Sequence, residues 1–241
     1  MFTDYSPCTI HPLIVFSHQN SVMSVNVEQY QQISCELAVS KVTLVAVSKT
    51  KPVADIEALY ALGQRDFGEN YVQELADKQA LLPADIRWHF IGHLQSNKVK
   101  YIAPFIHLIH GVDSLKLLQE INKQAAKNHR IIHCLLQVHI ASEETKFGMD
   151  ENELNDALQQ LNAFPNVKVC GLMGMASLSE DDNKVRNEFR TLHRLLQKSA
   201  ISHQPSAMLS MGMSGDYKIA IEEGSTMVRI GSLLFGARVY P

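Results

Sequence analysis

The sequence has few cysteines, and none of them lie close together. The four, Cys8, Cys35, Cys134 and Cys170, form no CxxC pair, which excludes a zinc knuckle and a thioredoxin-like redox motif and points to a reducing compartment. No apolar run approaches the roughly 18 residues of a membrane span. No lysine or arginine precedes Lys41, so the basic flank of a secretory or mitochondrial signal is missing and the expected location is the cytoplasm. An excess of one charge is missing too: 22 basic against 25 acidic residues leave a formal charge of -3. No global field therefore draws the chain to nucleic acid or to an anionic membrane. The glycine-rich turn that follows the first strand of a doubly wound dinucleotide fold is replaced by Ser48-Lys49-Thr50-Lys51-Pro52.

What is present is an ordinary globular composition, 46% apolar and 20% charged, over 241 residues, a length that one α/β barrel fills. Residues 1–23, with Pro7 and Pro12 and no sustained helical period, read as a poorly ordered N-terminal extension with Met23 as an alternative start. Residues 24–241 read as a single domain. An initial helix is expected over Val27 to Leu37. From Val42 onward, short β-branched runs alternate with amphipathic stretches. Eight strands are expected: Val42 to Val47, Asp66 to Gly68, Arg87 to Ile91, His107 to Ile109, Ile131 to His139, Val167 to Leu172, Ala207 to Leu209 and Met227 to Ile230. Between them, Val185, Phe189, Leu192 and Leu196 recur at helical spacing, as do Leu154, Leu158 and Leu161. Asp150 with Glu153 spells a capping box, and Pro52 suits a first helical position. Eight βα units predict a single-domain (β/α)8 TIM barrel, whose active site lies at the carboxyl ends of its strands.

Those ends carry Lys49, Glu69-Asn70, Gly92 to Asn97, Asp113-Ser114, Gly174-Met175-Ala176, Ser210 to Ser214 and Gly231-Ser232. Period-two alternation puts Val45, Val47 and Lys49 on one face, so valines filling the barrel would aim the lysine over its mouth. Desolvation there favours the neutral amine that attacks an aldehyde. Ser214, before an expected helix over Gly215 to Glu223, is a candidate N-cap. With Gly231 and Ser232 it could form a phosphate cup after strands seven and eight, although Asp216 beside it would repel an anion. Arg229 shares the inward face of the last strand and needs an acceptor. A heteroaromatic nitrogen would serve, and so would an internal carboxylate such as Glu69. His89 and His93 lack the helical setting and adjacent glutamate of a zincin, and no metal site is expected. Met173, Met175, Met211 and Met213 read as pocket filler, and Ser142 to Lys146 as a solvated loop.

Leu44 to Pro52 (LVAVSKTKP), Phe67 to Glu74 (FGENYVQE), Trp88 to Lys98 (WHFIGHLQSNK), Gly171 to Ala176 (GLMGMA) and Leu209 to Arg238 (LSMGMSGDYKIAIEEGSTMVRIGSLLFGAR) together resemble the pyridoxal phosphate homeostasis proteins, single-domain relatives of the alanine racemase barrel. The family often has proline where this chain has His93. The resemblance implies that Lys49 forms the internal aldimine with pyridoxal 5'-phosphate (PLP). It further implies that Asn70 contacts the ring, that Ser214 with Gly231 and Ser232 holds the phosphate, and that Arg229 faces the pyridine nitrogen. It implies a monomer that keeps free PLP low and hands it to PLP-dependent apoenzymes. Two points argue against efficient turnover: an arginine at the ring nitrogen makes a poorer electron sink, and little chain follows the last strand to supply a second acid. The alternatives are a low-activity PLP-dependent amino-acid racemase, with Tyr71 or His93 as its second acid, and a Schiff-base aldolase without cofactor.

Overall fold

A computed structural model of the chain describes residues 25–143, 147–204 and 206–237. The expectation for the N-terminal extension lies outside the described residues. Along them run α1 (Val27–Ser40), β1 (Thr43–Val47), α2 (Val53–Ala61), β2 (Asp66–Glu69), α3 (Val72–Leu81), β3 (Arg87–Phe90), α4 (Val99–Ile102), β4 (Leu108–Val112) and α5 (Leu115–Lys127). Then follow β5 (Ile132–Gln137), α6 (Glu151–Gln159), β6 (Val167–Met173), α7 (Asp182–Lys198), β7 (Met208–Met213), α8 (Tyr217–Glu222), β8 (Met227–Ile230) and α9 (Ser232–Phe235). Each strand pairs in parallel with the next, and β8 returns to β1 to close the barrel. The TIM barrel is the fold of the chain. No helix among the described residues is long and apolar enough to cross a membrane.

Local chemistry explains where the elements start and stop. The Asn26 side chain accepts from the Gln29 N–H to open α1, and Lys41 closes it in the left-handed conformation at φ 54. The expected capping box opens α6: Asp150 accepts from the N–H groups of Asn152 and Glu153, while the Glu153 carboxylate accepts from the Asp150 N–H. In α7, Val185, Phe189, Leu192 and Leu196 are all buried, as their period requires. Three expectations shift. Pro52 is the cap before α2 and not its first residue, because its ψ of 158 is extended. Leu161 falls in a 3-10 turn after α6. Strands β4 and β7 run on through Gly111 and Gly212, past the ends that β propensity sets, with a bulge in the register of each.

Alternation along the strands divides the core in two. Leu44, Ala46, Phe67 and Trp88 face the helices in the large outer core. Val45, Leu108, Leu135, Cys170, Met173 and Met227 form a separate cluster inside the barrel. That interior is not all apolar. His89, His110, Ser210 and Arg229, each at the third position of its strand, are also buried.

Candidate functional site at the carboxyl ends of the strands

A cavity of about 340 Å³ opens at the carboxyl ends of the strands. Its floor includes Val47, and half-buried Lys49, two residues beyond the end of β1, lines its wall. Alternation thus delivers Lys49 where the sequence puts it. Its neighbours turn the other way and are tied down. Ser48 Oγ donates to Glu69 Oε1 at 2.6 Å, and Lys78 Nζ donates to the Ser48 carbonyl at 2.8 Å. The Thr50 N–H donates to Glu74 Oε1 at 2.6 Å, with Thr50 at φ 63. Lys78 also donates to Glu69 Oε1 at 2.8 Å and Glu74 Oε1 at 2.7 Å. A Glu69–Lys78–Glu74 group between the sheet and α3, buried at Glu69 and Lys78, therefore holds both flanks of Lys49.

Burial is the largest influence on Glu69 and pushes its carboxyl up to about 7, against the opposing pull of Lys78 and Ser48. Its Oε2 has no hydrogen-bond partner. This arrangement corrects one of the two readings of Arg229: Glu69 is committed on the helix side of β2 and is not its acceptor. Lys78 escaped sequence reasoning because a lysine on an amphipathic helix ordinarily faces water. The available signal was its spacing from Glu74 beside buried Leu75.

Lys51, the second lysine on the cavity wall, is differently placed. Its Nζ donates to the carbonyls of Phe235 at 2.6 Å and Ala237 at 3.3 Å, closing the end of α9. Asn70, after β2, also lines the cavity, and its Oδ1 is buried without a hydrogen-bond partner. Gly92 sets the height of this segment, since a Cβ there would come within 2.7 Å of the Asn70 carbonyl oxygen.

Ser214, Gly215, Gly231 and Ser232 line the cavity at the ends of β7 and β8. Ser214 is not a helix cap: α8 begins at Tyr217, after Asp216, and Ser214 Oγ instead accepts from the Gly231 N–H at 3.3 Å. The serine therefore bridges the ends of β7 and β8. Gly212, at φ 95, makes this turn possible, and a Cβ there would strike Ala220 at 2.6 Å. Asp216 Oδ1 accepts from the Met213 N–H at 2.6 Å, a bond back into its own turn. A Cβ on Gly215 would meet no atom within 4 Å, so the glycine leaves the backbone open on that side.

Arg229 reaches the cavity from inside the barrel. Its Nη1 donates to Ser210 Oγ at 2.5 Å and its Nη2 to the Gly174 carbonyl at 3.1 Å, which leaves further N–H donors of the guanidinium for a ligand. Burial lowers its pKa to about 10, opposed by Asp216, so it is a cation at neutral pH. The methionines separate by face. Met175 and Met213 line the cavity, Met173 fills the barrel and Met211 joins the outer core.

The two candidates for a racemase acid, Tyr71 and His93, are not among the lining residues. Tyr71 is exposed, and His93 stacks on Phe147 with centroids 4.2 Å apart while its Nδ1 meets Asp113 Oδ2 at 2.9 Å. His89 sits with Asp66 and His107, at the far end of the barrel, where their donor atoms lie within 4.8 Å of one another. The Arg87 guanidinium already holds that carboxylate through two bonds, at 2.7 and 2.5 Å. Of the loop Ser142 to Lys146, residues 144–146 lie outside the described residues. Ser142 and Glu143 bind Ser177.

The family model of the alanine racemase N-terminal domain matches residues 23–239. A pyridoxal phosphate homeostasis protein of Aquifex aeolicus is 45% identical over 204 residues, covering 82% of this chain and 87% of that one. The chain belongs to the pyridoxal phosphate homeostasis family. A homeostasis protein of Synechocystis is 42% identical over 215 residues, 87% of this chain and 97% of its own. Among solved structures, PipY of Synechococcus elongatus is 36% identical. Without PLP it superposes with a TM-score of 0.80 over 89% of this chain and 100% of its own. With PLP bound it superposes with a TM-score of 0.78, over 87% and 99%. The family barrel and the resemblance of the motifs are both borne out.

Proposed function

We propose that the chain holds pyridoxal 5'-phosphate in this cavity and supplies it to apoenzymes, as a carrier in the cytoplasm and not as an efficient catalyst. The observation that carries the reading is convergence: one small cavity gathers a strand-end amine, a buried amide oxygen without a partner, a hydroxyl beside two glycines, and a buried guanidinium with donors to offer. A phosphorylated aromatic aldehyde fits that donor set group for group. When bound, PLP supplies an aldehyde that bonds to a primary amine and a ring that can spread negative charge. Lys49 is the amine that bonds to the aldehyde carbon. Ser214, with the backbone of Gly231 and Ser232, binds the phosphate, and Asn70 fixes the ring edge. Arg229, a cation at neutral pH, faces the ring nitrogen and disfavours its protonation.

That last role separates holding from turnover, because an unprotonated ring is a poorer sink for a substrate carbanion. The racemase alternative has also lost both of its proposed acids to positions off the cavity wall. The carrier is a monomer in this reading, as the family resemblance implies. Holo-protein incubated with amino acids in deuterated water should exchange their α-protons slowly, while it reactivates a PLP-stripped apoenzyme. Exchange on the order of 1 per second or faster would favour the racemase.

A further inference from the structure

The barrel interior contains a second feature that the cavity does not use directly. Below Arg229, buried polar side chains run to the opposite end of the barrel in an unbroken line. Arg229 Nη1 meets Ser210 Oγ at 2.5 Å, Ser210 Oγ meets His110 Nδ1 at 3.0 Å, and His110 Nε2 meets His89 Nδ1 at 2.9 Å. His89 Nε2 then meets Asp66 Oδ1 at 3.0 Å, and Arg87 clasps the Asp66 carboxylate from outside. His89, His110, Ser210 and Arg229 are each at most 4% exposed.

With one proton on each imidazole, the two ends of this line fix its direction. Burial alone would raise the Asp66 carboxyl, but the bonds from Arg87 and His89 outweigh it and hold the group at about 2, so the carboxylate only accepts. His89 Nε2 must then carry a proton and donate. Burial, the largest influence, keeps His110 well below its ordinary range, so it is neutral and has one N–H. When each ring carries a single proton, the bare Nδ1 of His89 accepts from His110 Nε2–H and the bare Nδ1 of His110 accepts from the Ser210 hydroxyl, an arrangement that gives every N–H and O–H of the line an acceptor. Ser210 Oγ is then a pure acceptor toward Arg229. All four bonds point one way, from the cation at the cavity to the anion at the far end, and such chains strengthen one another.

A proton placed on His89 would reverse the middle of the line. His89 Nδ1–H would donate to His110, His110 Nδ1–H would donate to Ser210, and the Ser210 hydroxyl would lose its acceptor. The other ionisable groups facing the line are His107, whose ring lies 5.4 Å from that of His89, His133 beyond it at 6.4 Å from His107, and Asp216 near Arg229. Burial, the largest influence, lowers His107 to about 4. No second cation competes for the Asp66 end from that side.

We propose that Ser210, His110, His89 and Asp66 are positioning residues that orient Arg229 toward the cofactor ring through a one-way hydrogen-bonded line across the barrel. The proposal rests on the PLP reading of the cavity, and its test is built to fail separately. In the apo-protein, without any cofactor, nitrogen-15 NMR of the histidine rings at neutral pH should find both His89 and His110 as neutral Nε2–H tautomers. An Nδ1–H form of either ring, or a doubly protonated His89, overturns the proposal whatever the cavity binds.

With PLP added to the full chain, the same position is altered in two ways. His89→Gln offers one donor and one acceptor at nearly the imidazole separation and keeps the direction of the line. His89→Leu cuts it. The Gln variant should keep the visible band of the bound cofactor. The Leu variant should shift that band and weaken PLP binding about tenfold, the scale of one hydrogen bond to a charged group. If His89→Leu does not fold, Ser210→Ala cuts the line by removing one atom next to Arg229 and should give the same shift. An unshifted band in a folded cut variant overturns the proposal. Failure of the unaltered chain to bind PLP instead overturns the reading of the cavity and leaves the tautomer result standing.

Discussion

Inside the barrel, the line from Arg229 to Asp66 finds a partner for both ring nitrogens of His89 and of His110. Between the sheet and α3, the Glu69–Lys78–Glu74 group leaves Glu69 Oε2 with none. Both networks end at the same cavity, one beneath Arg229 and the other on the flanks of Lys49. The inner one has its fixed charges, Arg229 and Asp66, at its two ends, so it sets direction along the line between them. The outer one crowds two carboxylates on one ammonium, so it holds the backbone firmly and is sensitive to protons. Position on the sheet decides which is which, because inward side chains meet across the barrel and outward ones meet a helix.

The comparison breaks most clearly at Lys78. Its ammonium is the only counter-charge among the described contacts of buried Glu69, so Lys78→Met should destabilise the fold by roughly 3–5 kcal/mol, read from urea unfolding. A loss below about 1 kcal/mol would show that the outer network adds little. The next test uses pH. With Glu69 raised to about 7 in the fold from an ordinary 4.5, the folded state binds the extra proton between those values. Stability should therefore be fully present below pH 4.5 and fall as pH rises toward 7, with a slope of at most ~1.4 kcal/mol per pH unit. Glu69→Gln should flatten that part of the profile. Midpoints of thermal unfolding across this range would reveal it, and an unchanged slope would remove Glu69 as the cause.

Ser214→Ala tests the cavity apart from either network. It should weaken PLP binding by about 1.5–3 kcal/mol while pyridoxal, which lacks the phosphate, binds nearly as before; equal loss for both, measured by fluorescence titration, would place Ser214 outside the phosphate site. The smallest effect belongs to a site remote from both networks. Asp150→Ala removes one half of the α6 capping box and should cost about 1 kcal/mol of stability with no change in PLP affinity.

Much of this was legible in the sequence, and the limits have physical causes. The strand order, the barrel and the arrival of Lys49, Ser214 and Arg229 at one mouth follow from alternation and spacing, which are local. The ends of β4 and β7 were not legible, because glycines that bulge within a strand look the same as glycines that stop one. The partners of Glu69 were hidden because Lys78 is buried against the usual preference of its type. The Ser210–His110 contact spans 100 positions, and no local pattern reports a bond made across a closed barrel. The way Ser214 reaches the cavity wall is not legible either, since its hydroxyl bridges to Gly231 and does not cap a helix.

The central claim is that Lys49 is the lysine that carries the cofactor. Loading the full chain with PLP, reducing with borohydride and mapping the peptides by mass spectrometry tests it in one step. The account predicts a single reduced adduct on the peptide containing Lys49, and its loss together with the visible absorption in a folded Lys49→Ala protein. An adduct on Lys51, whose ammonium is engaged by the carbonyls of Phe235 and Ala237, or on exposed Lys218 in place of Lys49, would contradict it.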